Sequence, residues 1–139
     1  MARIQHNTKL NQLIVDLGRS LLQFVGEASP WSPNSASAAR DAVARLVGSQ
    51  RQHVERLTDL LVERRCPVEF GVYPAAFTDL HFLSLKSLLP RILANQDVLV
   101  SELDEAAHTC IDDPEAASAL DEILAAQRAG TEELRLLKL

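Results

Sequence analysis

Cysteine is scarce in this sequence. The two present, Cys66 and Cys110, lie far apart, with no Cys-x-x-Cys and no histidine pair at zinc-ligand spacing. A reduced, cytoplasmic setting is therefore expected. No uninterrupted apolar run approaches the length that spans a bilayer, and the opening Met1-Ala2-Arg3-Ile4-Gln5-His6 carries no apolar export region. The expectation is a soluble, unexported protein with no membrane partner. Gly-rich phosphate loops, Gly-x-Ser-x-Gly and His-Glu-x-x-His are all missing, which removes the familiar signatures of phosphate cradling, serine hydrolysis and zinc proteolysis. Blocks of one charge are missing too. The net charge is −5, with acids and bases interleaved, which argues against a nucleic-acid or anionic-membrane surface.

The chain does have enough apolar residues, 47% against 24% charged over 139 residues, to build one globular domain spanning 1–139. The periodicity is helical almost throughout. A first helix is predicted from Asn7 or Thr8, either able to cap exposed amides, to about Ala28. Its apolar set Leu10, Leu13, Ile14, Leu17, Leu21, Phe24 and Val25, flanked by Val15 and Leu22, is wide enough to suggest a second contact such as a homodimer. The turn-rich Ser29-Pro30-Trp31-Ser32-Pro33-Asn34-Ser35 follows. A second helix then runs from Ser35 or Ser37 to about Arg65. Its arginines read as a solvated face supported by pairs such as Asp41 with Arg45 and Arg51 with Glu55.

The stretch from Cys66 to Phe77 holds two prolines, a glycine and half the aromatics. Fully extended it reaches about 40 Å at ~3.3 Å per residue, enough for a crossover along the whole length of a helical bundle. Phe70, Tyr73 and Phe77 are expected to pin that crossover to the bundle. Thr78 can cap a short helix over 79–89, which Pro90 should end, and a third long helix follows over 90–109. Asp113-Pro114-Glu115 supplies a cap, a proline at the first helical position and an acid in the first turn, so the last helix starts there and runs towards Leu137. His6 is expected to be frayed. His81 and His108 read as cap or surface residues, and Glu102, Asp104 and Glu105 as a solvated face.

Three apolar seams are each interrupted by one glutamine. Gln50 lies among Val43, Leu46, Val47, Val54, Leu57, Leu60 and Leu61; Gln96 among Leu89, Ile92, Leu99 and Leu103; Gln127 among Leu120, Ile123, Leu124, Thr131 and Leu134. With a tight turn at 110–113, the third and fourth helices are antiparallel and Gln96 falls level with Gln127. The same counting brings Gln50 level with Asp16 on the first helix, within about one helical turn.

A four-helix bundle with a long crossover, a short extra helix between helices two and three, and polar residues converging at mid-height resembles the ferritin-like superfamily. In its di-iron members, one glutamate comes from each of two helices and a Glu-x-x-His motif from each of the other two. Here the corresponding residues are Gln50-x-x-His53 and Gln127-x-x-Gly130. The resemblance implies iron, yet neutral amides are poor ligands for hard cations and cannot offset their charge. With Gln50, Gln96 and Gln127 as amides and Gly130 in place of a second histidine, only His53 and Asp16 remain. No cofactor is expected, and Asp16, Gln50, His53, Gln96 and Gln127 are the vestigial positions. The leading reading is a ferritin-like protein without di-iron chemistry, in a structural role or bound to a protein partner, with enzymatic activity left open. Two alternatives stand beside it. One is a metal-dependent oxidoreductase or metal-storage bundle, with iron as its cofactor, which needs at least three carboxylates or histidines about one point. The other is a small-molecule carrier, with its pocket under the aromatics between Phe70 and Phe82.

Overall fold

A computed structural model describes residues 2–139, and every regular element in that range is helical. Five α-helices are formed: α1 (Ala2–Gly18), α2 (Leu21–Ala28), α3 (Ser37–Glu63), α4 (Leu85–Thr109) and α5 (Pro114–Arg135). Short 3-10 turns occupy Asn34–Ala36 and Ala75–Leu80. Among the described residues no helix is long and apolar enough to cross a membrane.

Side-chain pairs give the helix directions. Asn7 meets Arg64, Ser20 meets Gln50 and Gly26 lies against Val47, so α1 and α2 run antiparallel to α3. Arg45 pairs with Glu133, Arg56 with Glu122 and Arg64 with Asp113, so α5 also runs antiparallel to α3. Asp97 with Arg135 and Asp104 with Arg128 make α4 antiparallel to α5. Helices α3 and α4 are therefore parallel, and residues 64–84 travel the length of the bundle between them.

The apolar core comes in two parts. One gathers Leu10, Leu13, Leu17, Leu57, Leu61, Leu103, Leu120 and Ile123; the other gathers Leu22, Val25, Val43, Val47, Leu88, Ile92 and Leu134. Each fully buried leucine or isoleucine contributes roughly 1.5–3 kcal/mol. The second contact suggested by the width of the first helix is met by the chain's own crossover. Val15 lies against Gly71, whose φ of 68° brings the backbone close, and Phe24 packs edge-on against Tyr73 with ring centroids 5.6 Å apart.

Several boundaries differ from those read in the sequence. The first helix starts by Ala2, because Asn7 and Thr8 spend their side chains elsewhere: Asn7 accepts from Arg64 and Thr8 donates back to the Ile4 carbonyl. It then breaks at Arg19-Ser20, so the bundle's first arm is two helices. The expected helix over 79–89 is replaced by the 3-10 turn at Ala75–Leu80, and α4 runs unbroken through Pro90 from its cap at Ser84, which accepts from the Ser87 amide. Pro90 falls in the second turn and faces solvent, so the one carbonyl it leaves unpaired can bond to water. The arginines of α3 reach neighbouring elements rather than making i to i+4 pairs: Arg40 bonds Ser32 and Pro33, and Arg45 and Arg56 reach α5.

Candidate functional site

A polar layer lies between the two apolar clusters. It starts from the break in the first arm, where Ser20 caps α2 with φ −69° and ψ 162° and its oxygen accepts from the Gln23 amide. That cap frees the Ser20 hydroxyl to donate to Gln50 Oε1 at 2.7 Å, and it turns Gln23 inward to donate to the same oxygen at 2.9 Å and to the Val47 carbonyl at 3.0 Å. The amide of Leu21, left without an intrahelical acceptor at the start of α2, donates to Asn95 Oδ1 of α4 at 3.0 Å.

From Gln50 the network crosses the bundle. Gln50 Nε2 donates to Gln96 Oε1 at 3.3 Å and to Gln127 Oε1 at 3.5 Å, and Gln96 Nε2 donates to Gln127 Oε1 at 3.3 Å. Gln127 Nε2 donates to His53 Nδ1 at 3.1 Å. All three glutamines are buried; Gln96 meets Gln127, as the count across the tight turn expected, and Gln50 joins them at the same level. An acceptor at Nδ1 makes His53 a neutral imidazole with its hydrogen on Nε2. Burial pushes its pKa below the usual histidine value, opposed by the nearby Glu122 carboxylate.

Asp16 does not join this layer. It lies one turn before Ser20, because the break at Arg19-Ser20 hands the mid-height position to Ser20 and Gln23. Asp16 accepts from Gln12 Nε2 at 3.0 Å and faces Glu102 of α4. Glu102 is half-buried rather than solvated. Burial first, and then the Asp16 carboxylate, push its pKa up to about 7.

His6 is buried rather than frayed. Its Nδ1 meets Asp113 at 3.2 Å, and Asp113, the cap of α5, also accepts from Arg64 at 2.7 Å. These bonds tie the start of α1 to the end of α3 and the start of α5. His81 and His108 are exposed, His81 edge-on to Phe82 and His108 bonded to the Asp104 carbonyl. Cys110 is fully buried, and burial raises its thiol pKa, which leaves it unreactive.

Protein-family models, curated proteins and solved structures give no match to this chain. Its chemistry is thus read from these residues alone. Of the side chains in the layer, only His53 is a competent metal ligand, and its Nδ1 is occupied by an amide. Among the described residues, no three or more His, Cys, Asp or Glu side chains are grouped so as to hold a metal ion. A di-iron centre does not fit this donor set. The amides satisfy one another, which avoids the roughly 1–3 kcal/mol that each unpaired buried polar group would cost.

Sequence reasoning missed Ser20, Gln23, Asn95 and Arg51, which donates to Gln23 Oε1 at 3.1 Å. A signal for the first two was present, since Ser20-x-x-Gln23 has the form of a capping box and Gly18 lies two residues before it. Asn95 and Arg51 have no such signal, because what decides their partners is the meeting of separate helices.

Proposed function

We propose that this protein is a ferritin-like bundle in which a neutral amide layer stands where related bundles hold iron, and that it serves as a non-catalytic structural or protein-interaction protein. Two features support the architectural part: the parallel α3 and α4 joined by a long crossover, and polar side chains entering one level from every arm of the bundle. The observation that carries the functional part is the closed hydrogen bonding of Gln50, Gln96 and Gln127 with His53. Such a layer supplies neither the charge nor the free lone pairs that iron needs.

The test is elemental analysis of protein purified without chelator, followed by an anaerobic ferrous titration of the wild type and of His53→Ala. The proposal expects no stoichiometric metal and a melting temperature unmoved by iron. Near-stoichiometric iron that is lost in His53→Ala would overturn it in favour of a metal-dependent enzyme or storage protein.

A further inference from the structure

A cleft of about 410 Å³ opens where the α1–α2 break, α3 and the crossover meet. Its volume lies in the range of small-molecule sites, roughly 300–1,000 Å³. Arg51 and Glu55 line it from α3, Arg19 and Glu27 from the broken first arm, and Phe70 and Tyr73 from the crossover.

Two charges in this cleft are not engaged in ion pairs among the described residues, in contrast to the interhelical arginines. Arg45, Arg56, Arg128 and Arg135 each hold a carboxylate of another helix. Neither Arg51 nor Glu55 makes an ion pair among the described residues, although they stand four residues apart on one helix face, at the ~5–6 Å spacing that favours one. Arg51 instead donates from its Nε to Gln23 Oε1 at 3.1 Å. Glu27 is engaged by the Tyr73 hydroxyl at 3.0 Å. Arg19 donates to the carbonyls of Phe70 and Gly71 at 3.3 and 3.1 Å, and lies 5.2 Å from the Tyr73 ring centre. Those contacts fix the aromatic wall in place. Phe70 remains 48% exposed beside it.

We infer that this cleft binds a zwitterionic small molecule of the α-amino-acid class with a large apolar side chain. The carboxylate takes the Arg51 guanidinium, the ammonium takes Glu55, and the side chain lies on Phe70 and Tyr73. An unpaired cation and an unpaired anion one turn apart match the two charges of such a head group. The two glutamates disfavour phosphate-bearing or other polyanionic ligands. The inference does not rest on the absence of iron: Gln23 is shared between the layer and the cleft, but Gln50, Gln96, Gln127 and His53 do not line it.

Isothermal titration calorimetry at low salt on the full chain tests it. The probes are L-phenylalanine, L-leucine and L-tryptophan, with 3-phenylpropanoate, 2-phenylethylamine and inorganic phosphate as controls. Saturable binding of at least one amino acid is expected, with 3-phenylpropanoate and 2-phenylethylamine each weaker because one charge is missing. Arg51→Gln and Glu55→Gln should each weaken it roughly tenfold, the loss of one charge-assisted contact. Phe70→Ala should weaken it as well. All three positions are exposed, and an unchanged circular dichroism spectrum would show that the variants fold. No heat from any of the amino acids at millimolar concentration would overturn the inference. So would equal binding of 3-phenylpropanoate or phosphate, or affinity unchanged in all three variants.

Discussion

Replacing Gln50 by leucine removes the hub of the polar layer while nearly conserving volume. Gln50 Oε1 accepts from the Ser20 hydroxyl and from Gln23, and its Nε2 donates to Gln96 and Gln127. In Gln50→Leu, Gln23 keeps the Val47 carbonyl and Gln127 Oε1 keeps the Gln96 donor. The Ser20 hydroxyl and Gln96 Oε1 are left without partners, both on buried residues. At about 1–3 kcal/mol for each orphaned group, partly offset by the more favourable burial of leucine, the loss should be roughly 2–4 kcal/mol. For a domain of this size that lowers the melting temperature by roughly 6–15 °C. Urea unfolding followed by circular dichroism measures it directly. The triple variant Gln50→Leu, Gln96→Leu, Gln127→Leu removes Gln96 Oε1 with its residue, leaves the Ser20 hydroxyl, and frees the partly exposed His53 Nδ1 to bond to water, so it should cost no more than Gln50→Leu alone. A single variant as stable as the wild type, or three single costs that add up in the triple, would refute this account of the layer.

Glu102 and His53 give opposite pH dependences. With its folded pKa raised from 4.5 to about 7, Glu102 holds extra protons in the native state, so its contribution to stability is lost as pH rises through that window. Glu102→Gln should remove about 1 kcal/mol of that decline, a figure reduced for solvent screening of a partly exposed pair, as read from urea midpoints at pH 5 and pH 8. His53, with its pKa lowered, contributes stability that is lost as pH falls below about 6.5, and His53→Gln should flatten that acid limb. Asp113→Ala should cost about 3–5 kcal/mol by stranding the buried Arg64 and uncapping α5. Asp113→Asn, which can still cap, should cost less in the same urea titration. Gly71→Ala should cost about 1–3 kcal/mol, because a Cβ there would lie 2.7 Å from Val15 at positive φ. Adding Val15→Ala should recover the steric part but not the backbone part, measured by thermal melts of the single and double variants.

The helical class, the glutamine interrupting each seam and the level of Gln96 against Gln127 were legible because each rests on periodicity within one segment or on a count across one tight turn, whereas the length of residues 66–77 permitted a crossover without requiring it. Asp113-Pro114 fixed the start of α5, and that fixed the level of Gln127 against Gln96. The break at Ser20 was obscured by the unbroken apolar stripe running across it from Leu17 to Leu21 and Leu22. One missed break was enough to put Asp16 where Ser20 and Gln23 belong. The burial of His6 and the engagement of Arg51 depend on the ends of separate helices meeting, which no local pattern encodes. Pro90 was over-weighted, because its cost depends on how near the helix start it falls and on whether it faces water.

The crossover also bears on how the chain folds. It divides the molecule into two antiparallel hairpins, the α1–α2 arm with α3 and α4 with α5, each dominated by contacts close in sequence and therefore quick to form. Their docking joins residues far apart in the chain, and the apolar faces alone would tolerate sliding by a turn. Amides from both hairpins resist it: a one-turn slip would break the bonds of Gln50 to Gln96 and Gln127, of Gln127 to His53 and of Leu21 to Asn95, which cross between the hairpins. The layer thus acts as a registration pin for late assembly. Its glutamines should show φ-values near zero while Leu57 and Leu120, within the hairpins, show higher ones. In concentrated refolding, the long tether would let two chains exchange their α4–α5 hairpins and still satisfy the same pin.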